Sequence, residues 1–173
     1  FPNIEEYLGF IDVSCNNMNK LISDITEIAR LGKIENKNEV LNTNKLLKLE
    51  RNLISAKLRT GNIQLNIADN LPDIYGDRKR IIQVFGNLLD NAIKYMGEQP
   101  NPIITISVEE NGDTNSFLVR DNGAGMDEHS LKKVFSAFER FHSDVKGTGL
   151  GLYMIKQIAV SHGGTIIAES EGK

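Results

Sequence analysis

Tryptophan is absent from this 173-residue sequence, cysteine occurs once and proline four times. With Cys15 the only thiol, an intramolecular disulfide framework and a thiolate metal cluster are both excluded, and a reducing, cytoplasmic setting fits. No run approaches the ~18 uninterrupted apolar residues of a membrane span, and no charged-then-apolar signal segment opens the chain. The stretch therefore reads as soluble, with any membrane anchor of a parent protein outside it. A basic excess is missing too. The net charge of -3 and pI near 5.7 leave no positive field to gather nucleic acid or anionic lipid, so nucleic acid is not an expected partner. What remains is 40% hydrophobic and 25% charged, enough for one globular domain plus a small appendage. A start without Met and an end directly after a strand-like run give the look of an excised piece.

Apolar residues at Ile4, Leu8, Ile11, Cys15, Met18, Ile22, Ile25 and Ala29 step by three and four, which is a heptad seam. One helix cannot bury such a seam alone, so residues 1–32 read as a dimerisation or bundle helix and 33–38 as a linker. Residues 39–173 then form one domain. Its expected elements are a short strand at Glu39–Asn42, a helix over Asn44–Arg59, a strand at Ile63–Ile67 and a turn at Asp69–Pro72. Asp77 is placed to cap a helix over Arg78–Tyr95 with an apolar face of Ile81, Val84, Phe85, Leu88 and Ala92. A hairpin over Ile103–Val108 and Ser116–Val119, helices at Glu128–Val134 and Leu150–His162, and a last strand at Thr165–Ala168 complete the pattern. This is an α+β class, a two-layer sandwich of a mixed sheet covered on one face by helices and preceded by the heptad helix.

Three segments carry chemistry. In Asn87-Leu-Leu-Asp-Asn91-Ala-Ile-Lys94-Tyr95, helical spacing lines Asn87, Asn91 and Lys94 along one stripe. An amide oxygen is a hard neutral ligand for Mg²⁺ and an ammonium neutralises phosphate, although polar residues on any exposed helix face read the same way. In Asp121-Asn-Gly123-Ala-Gly125-Met126 the glycines allow close approach of a flat ligand. A carboxylate at the strand end can accept from adenine's exocyclic amine and would clash with guanine's oxygen, while a plain Asn-Gly turn is the simpler alternative. In Gly147-Thr148-Gly149-Leu150-Gly151-Leu152, amides opening a helix offer an anion site, unless the glycines only supply a bend. Between the last two, Phe135, Phe138 and Phe141 with a polar run to Lys146 suggest a lid, or three core aromatics.

In succession over Asn87–Leu152, these motifs resemble the catalytic domain of sensor histidine kinases, in the gyrase, heat-shock-90 and MutL ATPase superfamily. The resemblance covers nearly all of Glu39–Lys173 and implies a Bergerat-type ATP-binding fold, with the heptad helix as the second helix of a dimerisation hairpin. It implies Asn91 as the Mg²⁺ ligand, Asn87 and Lys94 toward the phosphates, Tyr95 beside adenine, and Asp121 with Gly125 holding adenine in the Gly123 and Met126 loop. It places phosphates on the backbone of Gly147, Thr148, Gly149, Leu150 and Gly151, and matches Arg140 to an arginine reaching the terminal phosphate. Hydrolytic relatives have a glutamate where Asn87 stands. An amide cannot take a proton from water, which favours phosphoryl transfer to a histidine over hydrolysis.

Family members carry that histidine in a His-acidic-x-basic-x-Pro context. His129, His142 and His162 lack those neighbours and read as structural or surface residues. The implied activity is thus the ATP side of a transfer to a histidine on a dimerisation helix absent from this chain. Relay to a response-regulator aspartate follows, in a parent that is a homodimer. The competing readings are an ATPase or serine-kinase relative on the same fold, and a non-catalytic dimeric nucleotide-binding scaffold.

Overall fold

The computed structural model describes residues 4–31, 37–112, 114–140 and 147–172. The heptad seam forms α1 (Ile4–Arg30), and its seam residues Ile4, Leu8, Ile11, Met18, Ile22 and Ile25 are all exposed. Of the expected linker, 33–36 lies outside the described residues and 37–38 has no regular structure. Among the described residues no helix is long and apolar enough to cross a membrane.

The next segment alternates short strands with helices. Strand β1 (Glu39–Leu41) leads into α2 (Thr43–Leu53), capped by Asn42, whose Oδ1 accepts from the Lys45 amide at 2.9 Å. The single helix expected over Asn44–Arg59 is interrupted at Ile54, where α3 (Ser55–Thr60) begins. Bonds from Ile54 N to Glu50 O and from Leu58 N to Ile54 O cross the interruption at 3.1 and 3.0 Å. The buried stripe Leu47, Glu50, Ile54, Leu58 is therefore kept, and the break is a local kink. Strands β2 (Gln64–Ile67) and β3 (Ile74–Gly76) follow, and β3, which the sequence pattern did not reveal, pairs antiparallel with β1.

Asp77 caps α4 (Arg78–Lys94), its Oδ1 accepting from the amides of Lys79 at 2.8 Å and Arg80 at 3.4 Å. Ile81, Phe85, Leu89 and Ala92 form the buried face of α4. Leu89, not the expected Leu88, points straight into the core because the face is turned by one residue. Strands β4 (Ile103–Asn111) and β5 (Thr114–Asp121) make the hairpin, and β2 joins β4 in parallel, giving a mixed sheet in the order β2-β4-β5. In this register Leu65, Ile104 and Asp121 share one face, as do Ile67, Ile106 and Val119, while Gln64 and Asn66 face away and are exposed. Phe85 of α4 meets Phe117 of β5 edge to face at 6.0 Å. Helices α5 (Glu128–Lys133) and α6 (Gly151–Ser161) close the helical layer, α6 burying Met154, Ile155 and Ile158.

The strand expected at Thr165–Ala168 is absent from every ladder among the described residues. A strand needs a partner along its length. This segment is instead held farther on, where Ser170 Oγ accepts from the Met126 amide at 2.9 Å.

One buried carboxyl tests this packing. Glu50 is 6% exposed, with Oε2 3.5 Å from where a Cβ on Gly86 of α4 would stand, and desolvation raises its pKa above the ordinary 4.5. A folded-state pKa above the unfolded one means this group's cost is absent below the ordinary carboxyl range and grows as pH rises through the folded pKa. Glu50→Gln is therefore expected to stabilise the chain at pH 7 by on the order of 1 kcal/mol. Urea denaturation at neutral and acidic pH checks this: the gain must shrink toward zero in acid.

Candidate functional site

Asn87 is fixed on α4 by donating from Nδ2 to the Gln83 carbonyl at 3.0 Å. Its Oδ1 then faces the start of α6, where a Cβ on Gly151 would lie 3.3 Å away. Asn91, one turn on, is half-buried, and its side chain has no hydrogen bond among the described residues, which leaves its amide oxygen open to a ligand.

Lys94 is placed differently from the expectation. Its ammonium pairs with Asp90 Oδ2 at 2.5 Å, and the other oxygen of Asp90 takes Lys57 of α3 at 2.7 Å. Burial alone would push the Asp90 carboxyl up, but hydrogen bonds and charge from Lys57 and Lys94 outweigh it and hold the group below its ordinary range. The i,i+4 spacing of Asp90 and Lys94 was the signal for this pairing.

At this same C-terminal end of α4, the Asp121 loop is built against Tyr95. Asp121 ends β5 on the helix-facing side of the sheet, and its Oδ1 accepts from the Gly123 amide at 2.9 Å. The Ala124 amide donates to the Tyr95 carbonyl at 2.8 Å. At Gly123 a Cβ would meet that carbonyl oxygen at 2.5 Å and Met96 Cα at 3.0 Å, so only glycine fits. Asn122 anchors the loop from the far side, accepting from the Ile103 amide at 2.8 Å and donating to the Asn101 carbonyl at 2.7 Å. Gly125 turns at φ +68°, and half-buried Met126 follows it.

The glycine-rich loop meets the base of the expected lid. Gly149 has φ +71°, its carbonyl accepts from the Phe138 amide at 3.0 Å, and a Cβ there would meet the Phe138 carbonyl carbon at 2.8 Å. Phe138 itself is 61% exposed, which separates it from the core, while Phe141, His142 and the rest of the expected lid to Lys146 lie outside the described residues. Gly147 is exposed, and Leu150 is the N-cap of α6 with no side-chain cap bond, so no side chain caps the first amides of α6 among the described residues. Thr148 gives its hydroxyl proton to Asp24 of α1 at 2.6 Å, a link between residues 124 apart that spacing could not reveal. Arg140 is exposed at the end of the described lid segment.

Of the histidines, His129 is exposed on α5. His162 ends α6 with Nε2 accepting from the Asp77 amide at 3.3 Å, which leaves Nδ1 to donate to the Ile158 carbonyl at 2.9 Å. A recess of about 680 Å³ lined by Arg51, Asn62, Asn66 and Pro100 includes none of the candidate residues.

Residues 76–173 match the family of histidine kinase-, DNA gyrase B- and HSP90-like ATPases, and the chain belongs to that family. Within it, the chain is a sensor-histidine-kinase-type catalytic domain. It is 35% identical over 164 residues to the methanogenesis regulatory histidine kinase FilI of Methanothrix harundinacea, covering 95% of this chain and 18% of FilI. Full-length ShkA in complex with AMPPNP superposes with a TM-score of 0.72 at 26% identity, covering 98% of this chain and 37% of ShkA. The histidine kinase ThkA in complex with the response regulator TrrA superposes at 0.62 and 28%, covering 81% and 42%. The chain thus spans about a fifth of the length of curated relatives such as FilI.

The close approach at Gly123 yields a test. Gly123→Ala is expected to cost about 1–3 kcal/mol of stability by forcing α4 and β5 apart, whereas Gly147→Ala, with nothing within 4 Å among the described residues, changes stability little. Paired thermal melts of the two variants check the contrast.

Proposed function

We propose that this chain binds Mg-ATP as the catalytic region of a sensor histidine kinase. Its parent delivers the γ-phosphoryl group to a histidine on a dimerisation helix outside the chain, for relay to a receiver-domain aspartate of a response regulator. The observation that carries this reading is the layout of α4. The helix meets the Asp121 loop at Tyr95 and the glycine-rich loop at Asn87. Eight residues separate those points, about 12 Å at 1.5 Å per residue, a span that a nucleoside triphosphate laid along the helix fills. ShkA's complex with AMPPNP supports the ligand class and ThkA's complex with TrrA the partner class.

In this reading Asp121 accepts from adenine's exocyclic amine, with Gly123, Gly125 and Met126 shaping the slot and Tyr95 beside the ring. Backbone amides of Gly147, Thr148, Gly149, Leu150 and Gly151 take the phosphates. Asn91 ligates Mg²⁺, which neutralises phosphate charge when bound. Lys94 reaches the phosphates only by leaving Asp90, whose charge Lys57 then continues to balance. Arg140 approaches the terminal phosphate from the lid. Asn87 positions and does not deprotonate, so transfer prevails over hydrolysis. Residues 1–32 act as the second helix of the dimerisation hairpin, 33–38 as linker and 39–173 as the catalytic domain. The exposed seam of α1 suits a homodimeric parent, and the single cysteine suits a reducing, cytoplasmic setting.

Titration calorimetry should give Mg²⁺-dependent ATP binding, no comparable GTP binding, and a loss of roughly 100-fold or more in affinity on Asp121→Asn. Asn91→Ala should remove the Mg²⁺ dependence. A helix bearing the histidine, added with Mg-ATP, should gain acid-labile phosphate. Steady ATP turnover without that helix would favour the ATPase alternative instead.

A further inference from the structure

Helix α1 uses two faces. The heptad seam is exposed, but Leu21, Asp24, Glu27, Ile28 and Leu31 are half-buried against the catalytic domain. The two stripes lie on the order of 130° apart around the helix at 100° per residue. Docking on the catalytic domain therefore leaves the seam free for another helix.

Two polar anchors hold the docked face. Glu27 Oε2 takes Arg80 Nη1 at 2.8 Å, with Lys79 at 3.5 Å from its other oxygen. Burial would raise the Glu27 pKa, but Arg80 and Lys79 outweigh it and hold the carboxyl below its ordinary range. The Arg80 side chain is only 7% exposed, so this pair is better shielded from solvent than a surface ion pair. One turn earlier, Asp24 Oδ2 accepts the Thr148 hydroxyl proton at 2.6 Å. The same hydroxyl oxygen accepts from the Leu150 amide at 3.4 Å. Thus α1 bridges the start of α4, which leads to Gln83 and Asn87, and the loop that opens α6.

We infer that docking of α1 opposes nucleotide binding. Asp24 holds the glycine-rich loop through Thr148 and sets a carboxylate against the hydroxyl that also takes the Leu150 amide, beside the proposed phosphate site, so Asp24 sets the chain's nucleotide affinity. The inference rests on the nucleotide reading of that loop. Its chemistry is direct. A carboxylate engages the hydroxyl that a phosphate would otherwise meet, and its charge repels a triphosphate a few ångströms away, where the effective dielectric is well below that of water. Through Glu27 and Arg80 the effect is tied to the position of the whole helix. A movement of α1 that withdraws Asp24 frees the loop, and by linkage bound nucleotide loosens α1.

The test is Mg-ATP affinity by calorimetry on the whole chain and on Asp24→Ala, Glu27→Gln, their double variant and Asp12→Asn, the last removing a charge on the exposed part of α1. Asp24→Ala should bind roughly tenfold more tightly, the scale of one partly screened charge interaction. Glu27→Gln should tighten binding without touching the loop, the double variant should add little to Asp24→Ala, and Asp12→Asn should match the unaltered chain. Hydrogen exchange in residues 20–30 should speed up when Mg-ATP is added. Unchanged or weaker binding by Asp24→Ala, or equal tightening by Asp12→Asn, overturns the inference and leaves nucleotide binding standing. Failure of the unaltered chain and every variant to bind overturns both.

Discussion

At the end of α4 a helix has carbonyls with no partner in the next turn, and here the Tyr95 carbonyl is satisfied by the Ala124 amide at 2.8 Å. That bond ties the helical layer to the last residues of the sheet. It is possible only because Gly123 has no Cβ to strike the same oxygen, and it holds only while β5 keeps its register with β4. Asn122 secures the register by gripping the start of β4 and the loop before it. A slip of one residue would turn Asp121 to the outer face of the sheet. The position of the candidate adenine contact thus follows from a backbone bond, a missing side chain and an asparagine.

Much of this could be read from the sequence because it is local. The seam of α1 repeats over eight apolar positions, Asp77 stands where an N-cap must, and the hairpin turns at Gly112 with φ +62°. The three motif segments were legible in order and spacing, and the structure brings Asn87 to Gly151 and Tyr95 to Gly123. What escaped depends on partners far away. Strand β3 is three residues long and is defined by pairing with β1, more than thirty positions earlier. The segment at Thr165–Ala168 has strand composition, but composition does not supply a neighbouring ladder. The kink at Ile54 leaves the apolar stripe intact, so the pattern carries no trace of it.

The side chains of the site divide the same way. Lys94 read as a phosphate contact, and its ammonium is paired with the carboxylate of Asp90 one turn back. Thr148 read as part of a phosphate loop, and its hydroxyl is committed to Asp24 on a helix that the sequence pattern marks as a dimerisation or bundle helix. The structure therefore gives α1 a second role in the geometry of the loop.

These commitments matter because Asn87 brings no proton chemistry. Its Nδ2 is spent on the carbonyl of Gln83 and its Oδ1 is directed at the opening of α6, and an amide takes no proton from water. A site without a base obtains its rate from placement and charge neutralisation. Such a site is governed by whatever positions its loops. Here the glycine-rich loop, the proposed phosphate site, is held from one side by the Phe138 amide and from the other by Asp24 of α1. In the proposed function, a shift of either would change where the phosphates sit, with no need for a new chemical group. Control by position and catalysis by position are then one property of the same few contacts, and a helix that also presents an exposed seam to a second helix is well placed to join them.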